Sequence, residues 1–233
     1  TSTVIKGSPT IHYSLRGIVI FEIELQAAQR DVHSGVFGGT SPNATHQLAE
    51  LIASIHDQDG KVVIPGFYDR VRPIESWEKS MLEAIPFDSE VYRKFIGCQE
   101  LCGEAGFDTN ERRWFRPTLD CNGITGGFQG EGSKTIVPAR ASAKFSARLV
   151  ADQRPEEVLQ ACRQWFEARG PIQFRAGSGG PPYFLNPQGD LAPYIKKAQD
   201  ALLHGFGVPP LLVRHGGAIP IVSQFESILG LST

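Results

Sequence analysis

The stretch Ile11-His12-Tyr13-Ser14-Leu15-Arg16-Gly17-Ile18-Val19-Ile20-Phe21-Glu22-Ile23-Glu24-Leu25-Gln26 decides the fold class. Ile11, Tyr13, Leu15, Val19, Phe21, Ile23 and Leu25 recur at a period of two on one face, with His12, Ser14, Arg16, Glu22 and Glu24 on the other. Successive side chains of a strand point to opposite sides, so the stretch predicts one long strand with a buried face and a polar face. The pattern returns at residues 139–150. There Ala139, Ala141, Ala143, Phe145, Ala147 and Leu149 oppose Arg140, Ser142, Lys144, Ser146 and Arg148.

Helical spacing stands between and after these runs. Ser41-Pro42 offers an N-cap and a first-turn proline to a helix carrying Leu48, Leu51, Ile52 and Ile55, expected to reach about residue 57. Pro155-Glu156-Glu157 opens another, with acids where the helix dipole favours them and an apolar stripe of Val158, Leu159, Cys162, Trp165 and Phe166. Strand character at residues 118–121 and 172–176 completes the order strand, helix, strand, strand, helix, strand. That order predicts an α+β fold. It is a two-layer sandwich in which an antiparallel sheet carries two helices on one face, the split β-α-β, ferredoxin-like arrangement.

The rest of the chain reads as additions. Residues 61–115 are rich in aromatic and charged side chains and are broken by Pro65, Pro73 and Pro86; they read as an insertion with short helices at 75–85 and 89–102. Residues 123–132 read as a glycine-rich loop, and residues 177–187, rich in glycine and proline, as a linker. Past it come a helix on Leu191, Tyr194, Ile195, Ala198 and Leu202, a short strand at 211–213 and a helix from about 221. The division expected is one domain over 1–180 and part of a second over 181–233.

With 41% hydrophobic and 21% charged residues in 233, the chain has the makings of a packed globular core rather than a disordered segment. A net charge of -2 argues against nucleic acid as a partner. No apolar run approaches the roughly 20 residues that span a bilayer, so no membrane partner is expected. The four cysteines, Cys98, Cys102, Cys121 and Cys162, are too few and scattered for a disulfide scaffold. They read as free thiols of a reducing compartment, the cytoplasm.

Four segments carry groups fit for chemistry. His33, in Asp31-Val32-His33-Ser34-Gly35, follows a strand and precedes a glycine-rich turn, which holds an imidazole rigidly yet leaves it open to donate to an oxyanion or shuttle a proton. Residues 126–138 fail as a phosphate loop, because Ser133 separates Gly132 from Lys134, and Thr135 is left presenting a hydroxyl. Arg148 stands on a polar strand face with Lys144 and Arg140, and arginine grips carboxylates with two parallel bonds. Arg214-His215-Gly216-Gly217-Ala218-Ile219-Pro220 is a glycine turn before a helix, where backbone amides favour anions.

Taken in order, Pro9-Thr10-Ile11 through Leu15-Arg16-Gly17, Asp31-Val32-His33-Ser34-Gly35, Gly66-Phe67-Tyr68-Asp69, Pro117-Thr118-Leu119, Lys134-Thr135-Ile136-Val137-Pro138 and Arg148-Leu149-Val150 resemble one family. It is the dinuclear-zinc metallopeptidases and amidohydrolases: carnosinase-type dipeptidases, aminoacylases, acetylornithine deacetylase and glutamate carboxypeptidase. The dipeptidase branch is the most similar. The resemblance implies a lid and dimerisation domain over 1–180, followed by a partial return into an α/β catalytic domain over 181–233. It implies a zinc-dependent hydrolase, with two ions in the parent enzyme, that cuts a peptide or amide bond in a small carboxylate-bearing substrate such as a dipeptide or N-acyl amino acid. It gives His33 a catalytic role across a homodimer and makes Thr135, Arg148, Gly216, Gly217 and Ala218 substrate-binding. Ala218 and His215 depart from the family, whose turn usually reads Gly-Gly-Ser and whose dipeptidases often carry Glu in place of His215. The family's zinc ligands would fall before Thr1 and beyond Gly230, so this chain is expected to hold no metal and to be inactive alone. A second reading makes the same sheet a non-catalytic oligomerisation or ligand-binding module whose edge strands pair across a two-fold axis.

Overall fold

The structure, a computed structural model, describes residues 8–230. Two sheets form the frame. The first has four antiparallel strands, β2 (Gly17–Gln26), β4 (Thr118–Gly126), β6 (Arg140–Leu149) and β7 (Ile172–Gly180), in the order β4-β6-β2-β7. The second takes β1 (Thr10–Leu15) as its centre, antiparallel to β8 (Tyr183–Phe184) and parallel to β9 (Leu211–His215). A two-stranded ribbon joins β3 (Val32–His33) to β5 (Ile136–Val137). The helices are α1 (Ser34–Phe37), α2 (Ala44–Ala53), α3 (Ser76–Glu83), α4 (Ser89–Ile96), α5 (Thr109–Trp114), α6 (Pro155–Glu167), α7 (Ala192–Phe206) and α8 (Pro220–Leu229).

The main core lies between the first sheet and the helices α2 and α6. Every second residue of β6 is buried, as the alternation requires; three of these five are alanines, Ala141, Ala143 and Ala147, and the buried Ala139 just before the strand continues the run. Small side chains there let the helices come down onto the sheet. The volume is filled instead by a stack of rings, with Phe21 parallel to Phe145 at 5.1 Å and to Phe174 at 4.7 Å, and Phe166 of α6 at 5.3 Å from Phe145. Burying each such side chain contributes about 1.5–3 kcal/mol.

The opening stretch is not one strand. The chain leaves the second sheet at Leu15 and enters the first at Gly17, with Arg16 between them. Alternation cannot report this, because two strands laid end to end keep a period of two. The crossing demands glycine, since a Cβ at Gly17 would stand 2.5 Å from the backbone nitrogen of Pro182.

Other boundaries moved for local reasons. Helix α2 is capped by Asn43 rather than Ser41: its side chain accepts the amides of Thr45 at 3.0 Å and His46 at 3.3 Å. The helix expected over 89–102 stops at Ile96, because Gly97 adopts a left-handed conformation. Helix α5 went unforeseen, being a single turn and a half with a capping box between Asp108 and Glu111. Strand β4 runs to Gly126, four residues into the supposed loop. The supposed linker at 177–187 is strand for much of its length: β7 continues to Gly180 beside β2, and β8 pairs with β1. Its glycines mark close approach, because a Cβ at Gly179 would meet the Ile18 carbonyl oxygen at 2.6 Å.

Residues 61–115 are not a free appendage. Val62, Ile64 and Phe67 join the main core, and the buried amide of Gln153 donates to the Phe67 carbonyl at 2.7 Å. Ile85, Trp114 and Phe115 form a second core with Val213 of β9. Glu78 of α3, fully buried, accepts from Tyr13 at 2.8 Å and from Arg214 Nε at 2.9 Å, and Arg214 also reaches it through Nη2. The Arg214 guanidinium lies 4.1 Å from the Phe115 ring. A buried charge is tolerable when paired and hydrogen-bonded in this way.

Candidate functional site

His33 ends β3, and its ribbon with β5 brings Thr135 alongside: the Ser34 amide donates to the Thr135 carbonyl at 3.0 Å. Asp31 anchors the ribbon from below by accepting the Ala139 amide at 2.9 Å. The His33 ring is then fixed from both sides. Its Nδ1 accepts the Gly35 amide at 3.0 Å, and its Nε2 lies 3.2 Å from the Thr135 hydroxyl. A ring nitrogen that accepts an N–H carries no proton, so the neutral ring holds its proton on Nε2. His33 therefore presents an N–H donor, exposed to solvent, in company with a hydroxyl that can donate or accept. Glycine at 35 leaves room for this, since a Cβ there would sit 3.0 Å from the imidazole Cε1.

The same device recurs at the turn after β9. His215 Nδ1 accepts the Gly217 amide at 3.0 Å, and a Cβ at Gly217 would come within 2.8 Å of the ring. His12 of β1 packs against His215 with ring centroids 4.9 Å apart. Burial, and then the neighbouring His215, hold the His12 pKa below the usual imidazole value. The Gly217 carbonyl in turn accepts the backbone amide of Arg16 at 3.1 Å.

Arg148 lies next to the last residue of β6, opposite Ile18 of β2 and Thr118 of β4, half-buried. Its carbonyl faces the Arg16 side chain at 3.5 Å. Arg148 and the Gly216-Gly217-Ala218 turn are thus linked through Arg16, whereas His33 and Thr135 lie beyond the other end of β6. Arg140 and Arg148 are eight residues apart on that strand, roughly 25–30 Å of extended chain. The six residues singled out from the sequence fall into two groups at opposite ends of one strand. Arg16 received no role there, because it was placed on the polar face of a single strand. Its signal was the Arg-Gly pair interrupting an apolar alternation.

Among the described residues no group of three or more His, Cys, Asp or Glu is placed to hold a metal ion, and no helix is long and apolar enough to cross a membrane. The four cysteines are unpaired.

An antiparallel sheet backed by two helices on one face, with polar side chains along the other face of β6, defines the class as a two-layer α+β domain. Residues 13–173 match the model of the M20 peptidase dimerisation domain, and the chain belongs to that family. It is 34% identical over 231 residues to the Beta-Ala-His dipeptidase of Mus musculus, covering 94% of this chain and 46% of that protein. It is 30% identical over 228 residues to the Cys-Gly metallodipeptidase of Schizosaccharomyces pombe, covering 95% and 47%. Among solved structures, it superposes on human carnosine dipeptidase 1 with a TM-score of 0.75 at 30% identity, covering 97% of this chain and 49% of that one. With the M20 metallo-carboxypeptidase Sso-CP2 of Sulfolobus solfataricus the TM-score is 0.81 at 28% identity, covering 97% and 51%. The chain spans about half the length of the curated relatives it matches.

Proposed function

We propose that this chain is the substrate-holding and pairing part of a metallo-hydrolase, acting as a homodimer on the peptide or amide bond of a small carboxylate-bearing substrate, a dipeptide or an N-acyl amino acid. Relatives named as a Beta-Ala-His dipeptidase and a Cys-Gly metallodipeptidase support the substrate class. In this reading Arg148 grips the carboxylate with a bidentate pair of bonds. The Gly216-Gly217-Ala218 turn lines the substrate with backbone. His33 donates its Nε2 proton to the scissile carbonyl and steadies the oxyanion as it forms, with Thr135 as a second polar contact. The relatives' names imply a metal, zinc in our reading with two ions in the whole enzyme. The described residues do not supply a ligand set for it.

The observation that carries the proposal is the separation of the two groups along β6. A dipeptide is far shorter than the strand between Arg148 and His33, so one protomer cannot place both on one substrate. A site shared across a two-fold axis can, with Arg148 from one copy and His33 and Thr135 from the other. The domain reading fits the same frame: a lid over 1–180, except that residues 10–15 pair with the second sheet, and a return into a catalytic domain over 181–233. The order β7-β2-β6-β4 supports the split β-α-β form of the lid. The free thiols support the cytoplasm as compartment.

Complementation tests this in the full-length protein that carries the chain. His33→Ala and Arg148→Met should each abolish most dipeptidase turnover. Mixed and reassociated, they should recover about a quarter of the wild-type rate, because a mixed dimer rebuilds one intact site. No recovery from a verified mixed dimer places both groups in one protomer's site and refutes the shared arrangement. Absence of turnover in the wild type favours the non-catalytic module.

A further inference from the structure

Among the described residues, Arg16 carries the one buried side-chain nitrogen or oxygen without a hydrogen-bond partner. It lies at the crossing between β1 and β2 and is 8% exposed. Its Nη2 donates to the Arg116 carbonyl at 2.6 Å and, more weakly, to the Arg148 carbonyl at 3.5 Å. Its Nε is buried with no partner among the described residues. Neither Arg16 nor Arg148 forms an ion pair among the described residues, although eleven other pairs do. The only acid with a resolved influence is Asp120 of β4, whose Oδ2 is occupied by the Thr118 hydroxyl at 2.9 Å. Burial first, and then the charge of Arg148, pull the Arg16 pKa down to about 10, against a smaller opposing pull from Asp120. At neutral pH it remains a cation.

A buried guanidinium with an unpartnered Nε and no ion pair of its own, its charge opposed by that of Arg148, is unfavourable unless an anion completes it. The backbone around it narrows the choice of place. The Arg16 amide holds the Gly217 carbonyl at 3.1 Å, so one residue ties together the end of the insertion, the Arg148 end of β6 and the turn after β9.

We propose that Arg16 and Arg148 form a two-arginine site for a carboxylate at the junction of the two sheets, Arg148 touching the anion and Arg16 acting as the positioning residue behind it. Arg16 adds its charge to the site and holds the Arg148 strand end and the Gly217 turn at a fixed spacing. This rests on the reading of Arg148 as the carboxylate grip and adds to it the residue on which the grip depends.

Two measurements on the protein separate this inference from the enzymatic reading. In the chain itself, the guanidinium Nε–H resonances of Arg16 and Arg148 are followed by NMR during titration with acetate, against chloride at matched ionic strength. The expected result is a saturable, acetate-specific shift at Arg148, lost in Arg16→Met and partly retained in Arg16→Lys. An Arg148 resonance that responds to acetate no differently from chloride in the wild type overturns the site, whatever the variants do. An acetate shift undiminished in a folded Arg16→Met overturns the role of Arg16. In the full-length protein, Arg16→Met should raise KM for a dipeptide with a free carboxylate about tenfold with kcat within a factor of about two, the loss expected of a weakened charged contact. The same dipeptide with an amidated C-terminus should show little change, whereas a purely structural lesion would affect both substrates alike. Acetate binding without turnover leaves the site standing and refutes the enzyme; turnover without acetate binding does the reverse.

Discussion

Two imidazoles in this chain are tethered alike, each accepting the amide of a glycine two residues on, at His33-Ser34-Gly35 and His215-Gly216-Gly217. The sequence marked both segments as turns, and for His33 that was enough to suspect function. It could not show that Nδ1 is the tethered atom, because a tautomer is set by where a neighbouring N–H points. Arg16 failed the sequence reading for a related reason: a polar residue in an alternating run defaults to the solvent face, and only the crossing of two sheets buries it. His12 gives a prediction at this scale. Its folded pKa lies below the unfolded value of about 6.5, so the folded state binds fewer protons than the unfolded one and stability rises with pH through that window. Above about 6.5 the contribution is fully present, and it is lost as the pH falls toward the folded value. Thermal unfolding midpoints should drop between about pH 7.5 and 5.5, and less steeply in His12→Asn. Equal slopes would remove His12 as a cause.

At the scale of elements, the local signals did best where one element settles its own ends. Helix α6 begins at Pro155 as expected, with Glu156 and Glu157 in its first turn. Helix α2 shows the opposite case. Ser41-Pro42 has the composition of a start, but the Ala44 amide is taken by the Pro138 carbonyl at 3.0 Å, which fixes the entry two residues later and leaves the cap to Asn43. Asn43→Ala should therefore cost about 1 kcal/mol of folding stability, while Ser41→Ala stays within about 0.5 kcal/mol. Urea unfolding of the two variants checks this, and a larger loss at Ser41 would reverse the assignment. The strand ends at Gly126 and Gly180 escaped detection because strand pairing is made by backbone, and the glycines at 126 and 179 reflect a neighbour too close for a Cβ rather than a loop.

At the scale of the molecule, the free edges matter. Strand β4 is an outer strand of the four-stranded sheet, bears Ile124 at 62% exposure, and leads on to Thr135 beside His33. Pairing of two copies along this edge would carry His33 and Thr135 toward the partner. We expect light scattering to report a dimer and Ile124→Asp to shift it toward monomer at unchanged helix content. A dimer indifferent to Ile124→Asp would move the interface elsewhere.

By itself the sequence determined the α+β class, the buried faces of β2 and β6, the helix α6 and the family, because each rests on a short repeating pattern or an ordered set of local motifs. Only the tertiary structure decided that the opening stretch is two strands in two sheets, that the insertion contributes to both cores, and that Arg16 lies buried between Arg148 and the Gly217 turn. Periodicity records which side of a strand is dry. It carries no record of which distant segment supplies the dryness, and at the crossing that partner turns a surface arginine into a buried one.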